Sequence, residues 1–150
     1  MVARVVVGIS REMGDLENRG GFARLGQIGL TVSAWLYAAC ILVQVFLAGL
    51  STGLLGNEPQ RWSDHISFGQ MIGTLPILLV IFALIGRLPV ITIVLSVAIF
   101  FLYGLQYPFA NTDNGNVAAL HAVNALVMFW ITTLIAQHAQ RLAFGRRNAT

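Results

Sequence analysis

The chain has 150 residues, of which 57% are hydrophobic and 10% charged, with a formal net charge of +3 and a mean hydropathy of +0.76. A soluble globular domain carries about 25% charged residues, so the composition excludes an ordinary soluble enzyme and points to a single-domain integral membrane protein with no room for a sizeable soluble core. All nine basic residues are arginines flanking apolar segments, where positive charge sets topology, so the net charge is not read as nucleic-acid binding.

Residues 1–25, "MVARVVVGISREMGDLENRGGFARL", read as a mixed-charge cytoplasmic tail. The apolar "VVVGI" is too short for a signal-peptide core, and Glu12, Asp15 and Glu17 speak against a transit peptide. Four stretches then have the roughly 20 apolar residues that a spanning helix needs. They lie at about 26–50, 66–85, 89–107 and 117–137, within a transmembrane domain of residues 26–140, and residues 141–150 form a second cytoplasmic tail. Backbone groups in lipid must be satisfied internally, and runs this long are helical. The expected fold is an all-α four-helix bundle running up-down-up-down.

The intervening segments read as punctuation. "STGLLGNEPQRWSDH" is a loop in which Ser63 or Asp64 is placed to cap the second helix. "IGRLP" is a tight turn, with Gly86 suited to a helix end and Pro89 to a first turn. In "NTDNGN", Asn114 or Asn116 is available to cap the last helix. The lone Cys40 allows no intrachain disulfide and reads as a packed, inert thiol. Eight of the nine arginines fall on the side of the two chain ends and only Arg61 on the other. By the positive-inside bias, both termini face the cytoplasm of a bacterial inner membrane.

Polar residues inside spans are rare and default to function. Each of the four spans places one near the outer face: Gln44, His65, Gln106 and His121. In a four-helix bundle the second and fourth helices are diagonal, about 12–14 Å apart for neighbours at 8–10 Å. Two histidines reaching inward across that gap suit the two axial positions of one haem b iron. The spacing His65-x-x-x-Gly69-x-x-x-Gly73 keeps one helix face free of bulk below His65, either for a flat macrocycle or for close helix contact. Asn124 lies one turn after His121, Met128 and Phe129 read as core, and Arg61 beside Trp62 is placed either to pair with a propionate or to anchor at the interface. His138 lies seventeen residues beyond His121, roughly 26 Å along a helix, with no histidine to match it.

The pieces "QVFLAG", "HISFGQMIG", "LQY" and "ALHAVNAL", in this order over residues 27–140, resemble a family of small bacterial four-span proteins of unknown function. The arrangement also looks like one half of the haem A synthase architecture, or a minimal cytochrome b561-type bundle. Both hold haem between paired histidines. This chain departs from them in pairing histidines at one level only, so transfer between two haems across the membrane is not expected.

The resemblance implies a four-helix membrane fold and no established activity. The functional expectation is therefore a bis-histidine haem b protein for electron transfer or haem handling, with His65 and His121 as iron ligands. The alternative is a non-catalytic accessory or pigment-holding subunit of a larger respiratory or photosynthetic complex, binding a chlorophyll-type pigment. The bilayer is a partner in either case, with a larger complex or a homo-oligomer as further candidates. A metal at His65, Asp64 and Asp113 ranks below haem, and nothing selects for a quinone at His121 and Gln106. No Ser/His/Asp constellation or phosphate-binding glycine loop supports an enzyme, and the absence of inverted repeats speaks against transport.

Overall fold

The computed structural model describes the backbone at residues 2–51 and 59–145, and side chains at 20–51 and 62–145. The described elements are all helical: α1 (Val2–Ser51), α2 (Pro59–Met71), a 3-10 turn (Ile72–Thr74), α3 (Leu75–Ile85), α4 (Val90–Ala110) and α5 (Gly115–Phe144). Four segments are long and apolar enough to cross a membrane: Gly20–Ser51, Trp62–Ile85, Val90–Ala110 and Gly115–Phe144. The protein is an all-α four-helix membrane bundle.

Each helix runs past the apolar stretch that announces it. Hydropathy marks the part that lies in lipid, whereas the hydrogen-bond ladder continues wherever polar residues tolerate it. Residues 2–25 thus prolong the first span as helix, and α2 starts at Pro59. Ser63 and Asp64 accordingly lie inside α2 and are not its caps. Asn114 does cap α5, its side chain accepting from the Asn116 and Val117 amides. The second span, expected to be unbroken, contains the 3-10 turn. Pro76 has no N–H to give to the Ile72 carbonyl, and the Leu75 amide takes that acceptor instead.

α1 packs against α2, α3 and α5, and α4 packs against α3 and α5. The second span and α5 therefore stand diagonally, as an up-down-up-down bundle requires. Leu30, Ala34, Tyr37 and Ile41 of α1 meet Leu79 and Ala83 of α3, Ile99 of α4 and Met128, Ile135, Ala136 and Ala139 of α5 in one core. Lipid-like surroundings supply no hydrophobic drive between helices, so the small residues Ala136, Ala139 and Ala143 serve close van der Waals approach. Large apolar residues such as Phe46, Val90, Phe101 and Trp130 stay outward. Cys40 packs partly buried against the core.

The two halves of the bundle repeat one burial pattern. Leu30, Ala34 and Tyr37 precede Gln44 along α1 at the intervals by which Thr92, Ser96 and Ile99 precede Gln106 along α4, and all six are buried. After His65 come Ile72, Leu79 and Ala83; after His121, at equal intervals, come Met128, Ile135 and Ala139, again all buried. Both hairpins therefore present the same face to the axis.

The α3–α4 connection is a Schellman turn. Leu88 N–H donates to Ala83 O and Arg87 N–H to Leu84 O, both at 3.1 Å. The left-handed residue is Arg87, with φ 49°, whereas Gly86 stays right-handed with φ −70°. Gly86 ends α3 as expected, and its lack of a side chain serves close packing: a Cβ there would meet the Leu88 side chain, the Phe82 carbonyl and the Gln27 amide nitrogen of α1. Replacing Arg87 by glycine relieves the left-handed penalty, and Arg87→Gly is expected to gain about 1 kcal/mol of stability. Denaturant titration in micelles reads this directly, and an unchanged or lowered midpoint contradicts it.

Candidate functional site

α2 and α5 each bring a histidine to the bundle axis near the end opposite the chain ends. The ring centroids of His65 and His121 lie 6.1 Å apart, with planes inclined at 62°. His65 Nδ1 is 3.2 Å from the Gln44 carbonyl, and His121 Nδ1 is 3.2 Å from the Gln106 carbonyl. A carbonyl only accepts, so both Nδ1 atoms carry the proton. In the neutral ring this leaves the lone pair on Nε2. The two hairpins thus make one arrangement twice: a histidine held through Nδ1 by the backbone of the preceding helix, at a glutamine.

Gln44 and Gln106 were expected at this level, and their backbone role is what sequence cannot show. Their side chains add something further. Oε1 of each is buried without a hydrogen-bond partner, as is the hydroxyl of the fully buried Tyr37. Such orphaned groups cost about 1–3 kcal/mol each when nothing satisfies them, and they are rare enough in native structures to need a reason. Tyr37, Gln44, His65, Tyr103, Gln106 and His121 all line one cavity of about 690 Å³. The remaining walls are mostly apolar, including Ile41, Ile72, Phe109, Leu126 and Met128.

The other expected site residues divide. Gly69 lines the cavity, and its carbonyl accepts from the Tyr103 hydroxyl at 3.1 Å. Having spent its proton there, Tyr103 accepts from the Tyr107 hydroxyl, 2.9 Å away. A Cβ on Gly73 would meet the Tyr103 phenol, and one on Gly69 would meet the Gln44 amide. The glycine face therefore seats polar side chains of α1 and α4. Gly73 and Asn124 are not among the cavity-lining residues. Asn124 is buried and ties α5 to α4 by donating from Nδ2 to the Leu102 carbonyl at 2.8 Å. The side chain of Arg61 lies outside the described residues. Trp62 sets its ring edgewise against His65 at 5.8 Å. His138 is exposed at the other end of α5.

The tyrosines are what sequence reading missed. Tyr37 and Tyr103 precede Gln44 and Gln106 by whole turns on the same helix faces, and this spacing could have found them. Asn124→Ala is expected to cost about 1 kcal/mol, the scale of one interhelical hydrogen bond in a membrane, and to leave the histidine pair in place. Thermal unfolding measures the loss, and a change in ligand binding at the histidines would contradict the separation.

Residues 44–113 match the model of a family described as "Family of unknown function (DUF6220)". The matched segment holds Gln44, His65, Gly69, Gly73 and Gln106 and ends before His121. The match and the four apolar helices together fit a small four-span membrane family of unknown function. No curated protein and no solved structure matches the chain.

Proposed function

We propose that this four-span membrane protein holds a haem b, with His65 and His121 as its axial ligands, and serves electron transfer or haem handling. The observation that carries the reading is the pair of imidazoles 6.1 Å apart, each tied through Nδ1 to a carbonyl. Hydrogen bonds of this kind fix the tautomer and orientation of metal-bound histidines. With Nδ1 of each ring spent on a carbonyl, His65 and His121 would hold a metal through Nε2.

The donor set supports the same reading. Among the described residues no three or more His, Cys, Asp or Glu side chains gather as a metal site. The grouping of His65, Asp64 and Asp113 is not assembled as such a site, so a metal at the histidines finds two protein ligands. A porphyrin would supply the other donors that such a metal needs. The cavity volume of about 690 Å³ is of the size that buries a cofactor. Its walls are mostly apolar, and the unpartnered Oε1 atoms of Gln44 and Gln106 are acceptors that a hydrogen-bond donor in the cavity would satisfy.

Bis-histidine haem leaves no open iron position and supplies one-electron transfer. The protein's part is to hold both imidazoles as neutral Nε2 ligands and to keep the site dry. The reading as an accessory or pigment-holding subunit uses one histidine on a chlorophyll magnesium and leaves the matched anchoring of the other without a purpose. Purified protein distinguishes these readings by its absorption. A Soret band with an α-band that sharpens on reduction is expected. A chlorophyll-like spectrum, or no chromophore after expression with haem supplied, counts against the proposal.

A further inference from the structure

At the opposite end of the bundle, the start of α4 and the end of α5 enclose a second cleft of about 370 Å³. We infer that it binds an anionic phospholipid, with the phosphate at Arg141 and His138 and an acyl chain along Ile91, Leu95 and Leu134. This inference is independent of the haem reading.

The cleft is amphiphilic along its length. Leu134, His138 and Arg141 follow one another at intervals of four and three residues, so they share one face of α5. Ile91 and Leu95 do the same on α4. Leu95 and Leu134 lie toward the middle of the bundle and the two basic side chains toward its end. Ile91 remains 61% and Leu134 41% exposed, so the groove opens sideways to where lipid tails lie.

The charge at its mouth is one-sided. Among the described residues no Asp or Glu lines the cleft and Arg141 makes no ion pair. The amino end of the 21-residue α4 adds its dipole, because Ile91 lies in the first turn beyond Pro89 and also lines the cleft. A guanidinium with no counter-ion among the described residues matches a phosphate in fork geometry. Basic clefts between spanning helices are a known form of acidic-headgroup site. A free phosphate would satisfy the basic end alone and leave the groove of Leu95 and Leu134 unused, so the lipid is the better match.

Native mass spectrometry of the full chain, released from neutral detergent with added palmitoyl-oleoyl phosphatidylglycerol or the phosphatidylcholine of identical tails, tests this. Phosphatidylglycerol adducts should dominate, and Arg141→Gln should weaken them about tenfold, the value of one charge-assisted hydrogen bond. Leu95→Trp, which fills the groove without altering charge, should weaken binding of both lipids. Arg24→Gln, at an exposed arginine outside the cleft, should leave the adducts unchanged. Equal binding of the two lipids overturns the inference. So does a loss in Arg24→Gln as large as that in Arg141→Gln, which would mean general surface charge only. Displacement of the lipid by millimolar inorganic phosphate points to a free-anion site and overturns it as well. Thermal unfolding of each variant separates loss of binding from loss of fold.

Discussion

Alanine at either His65 or His121 is expected to abolish the six-coordinate haem spectrum while the bundle stays folded. Both rings are anchored in the same way, Nδ1 to the Gln44 or Gln106 carbonyl, so the two single variants should fail alike. Neither ring belongs to the buried core of Leu30, Leu79, Ile99 and Ile135 that holds the helices together, so thermal unfolding should change little. Each alanine leaves a gap the size of an imidazole beside a retained histidine. Added imidazole should therefore restore much of the absorption. Methionine at either position should retain haem with a raised reduction potential, the direction expected when a thioether replaces a histidine. A wild-type spectrum in either alanine variant removes the ligand assignment. A loss of spectrum that imidazole and methionine both fail to repair would point to lost structure instead, and the unfolding curve decides that.

The second large effect is on folding. Gly26→Leu is expected to cost about 3 kcal/mol or more, at the upper end of what overpacking does. At this point α1 touches the α3–α4 turn backbone against backbone. A Cβ on Gly26 would run into the Gly86 amide, and the Gln27 side chain donates to the Gly86 carbonyl at 3.3 Å. The atoms that this Cβ meets, in Gly86 and Ile85, are all backbone, so the helices must separate. Gly104 supplies the control, since a Cβ there meets nothing within 4 Å. Gly104→Ala should gain about 0.5–1 kcal/mol from helix propensity alone. Opposite shifts of the two midpoints in a denaturant titration are the expected result. A stable Gly26→Leu variant would show that the contact is dispensable.

Much of the bundle was legible because membranes impose one-dimensional rules. A long apolar run must be helical in lipid, and four such runs with short connections must pack as antiparallel neighbours. The shared level of Gln44, His65, Gln106 and His121 followed from counting turns inward from one edge. Helix ends were less legible, since Pro59 begins α2 well before the apolar stretch and places Ser63 and Asp64 inside it. The 3-10 turn at Ile72–Thr74 was readable in principle from Pro76, because a missing amide disturbs the ladder on its amino-terminal side. At the α3–α4 turn, Gly86 marked the helix end correctly, whereas the left-handed Arg87 carried no signal. The approach of the α1 backbone at Gln27 to Gly86, a contact between residues far apart in the chain, was not readable either.

The amino-acid sequence by itself determined the solvent of this protein, the number of its spans, and the level at which its histidines lie. All three depend on composition and on rise per residue, which are local quantities. Only the tertiary structure decided what each polar side chain meets. It turned both histidines onto backbone carbonyls, gave Asn124 to Leu102, seated Gln44 and Tyr103 against Gly69 and Gly73, and left Tyr37 with a buried hydroxyl. The reason is rotational. Helix phase is set by packing on neighbours, and a turn of a few tens of degrees exchanges one partner for another without altering the hydropathy of the chain at all.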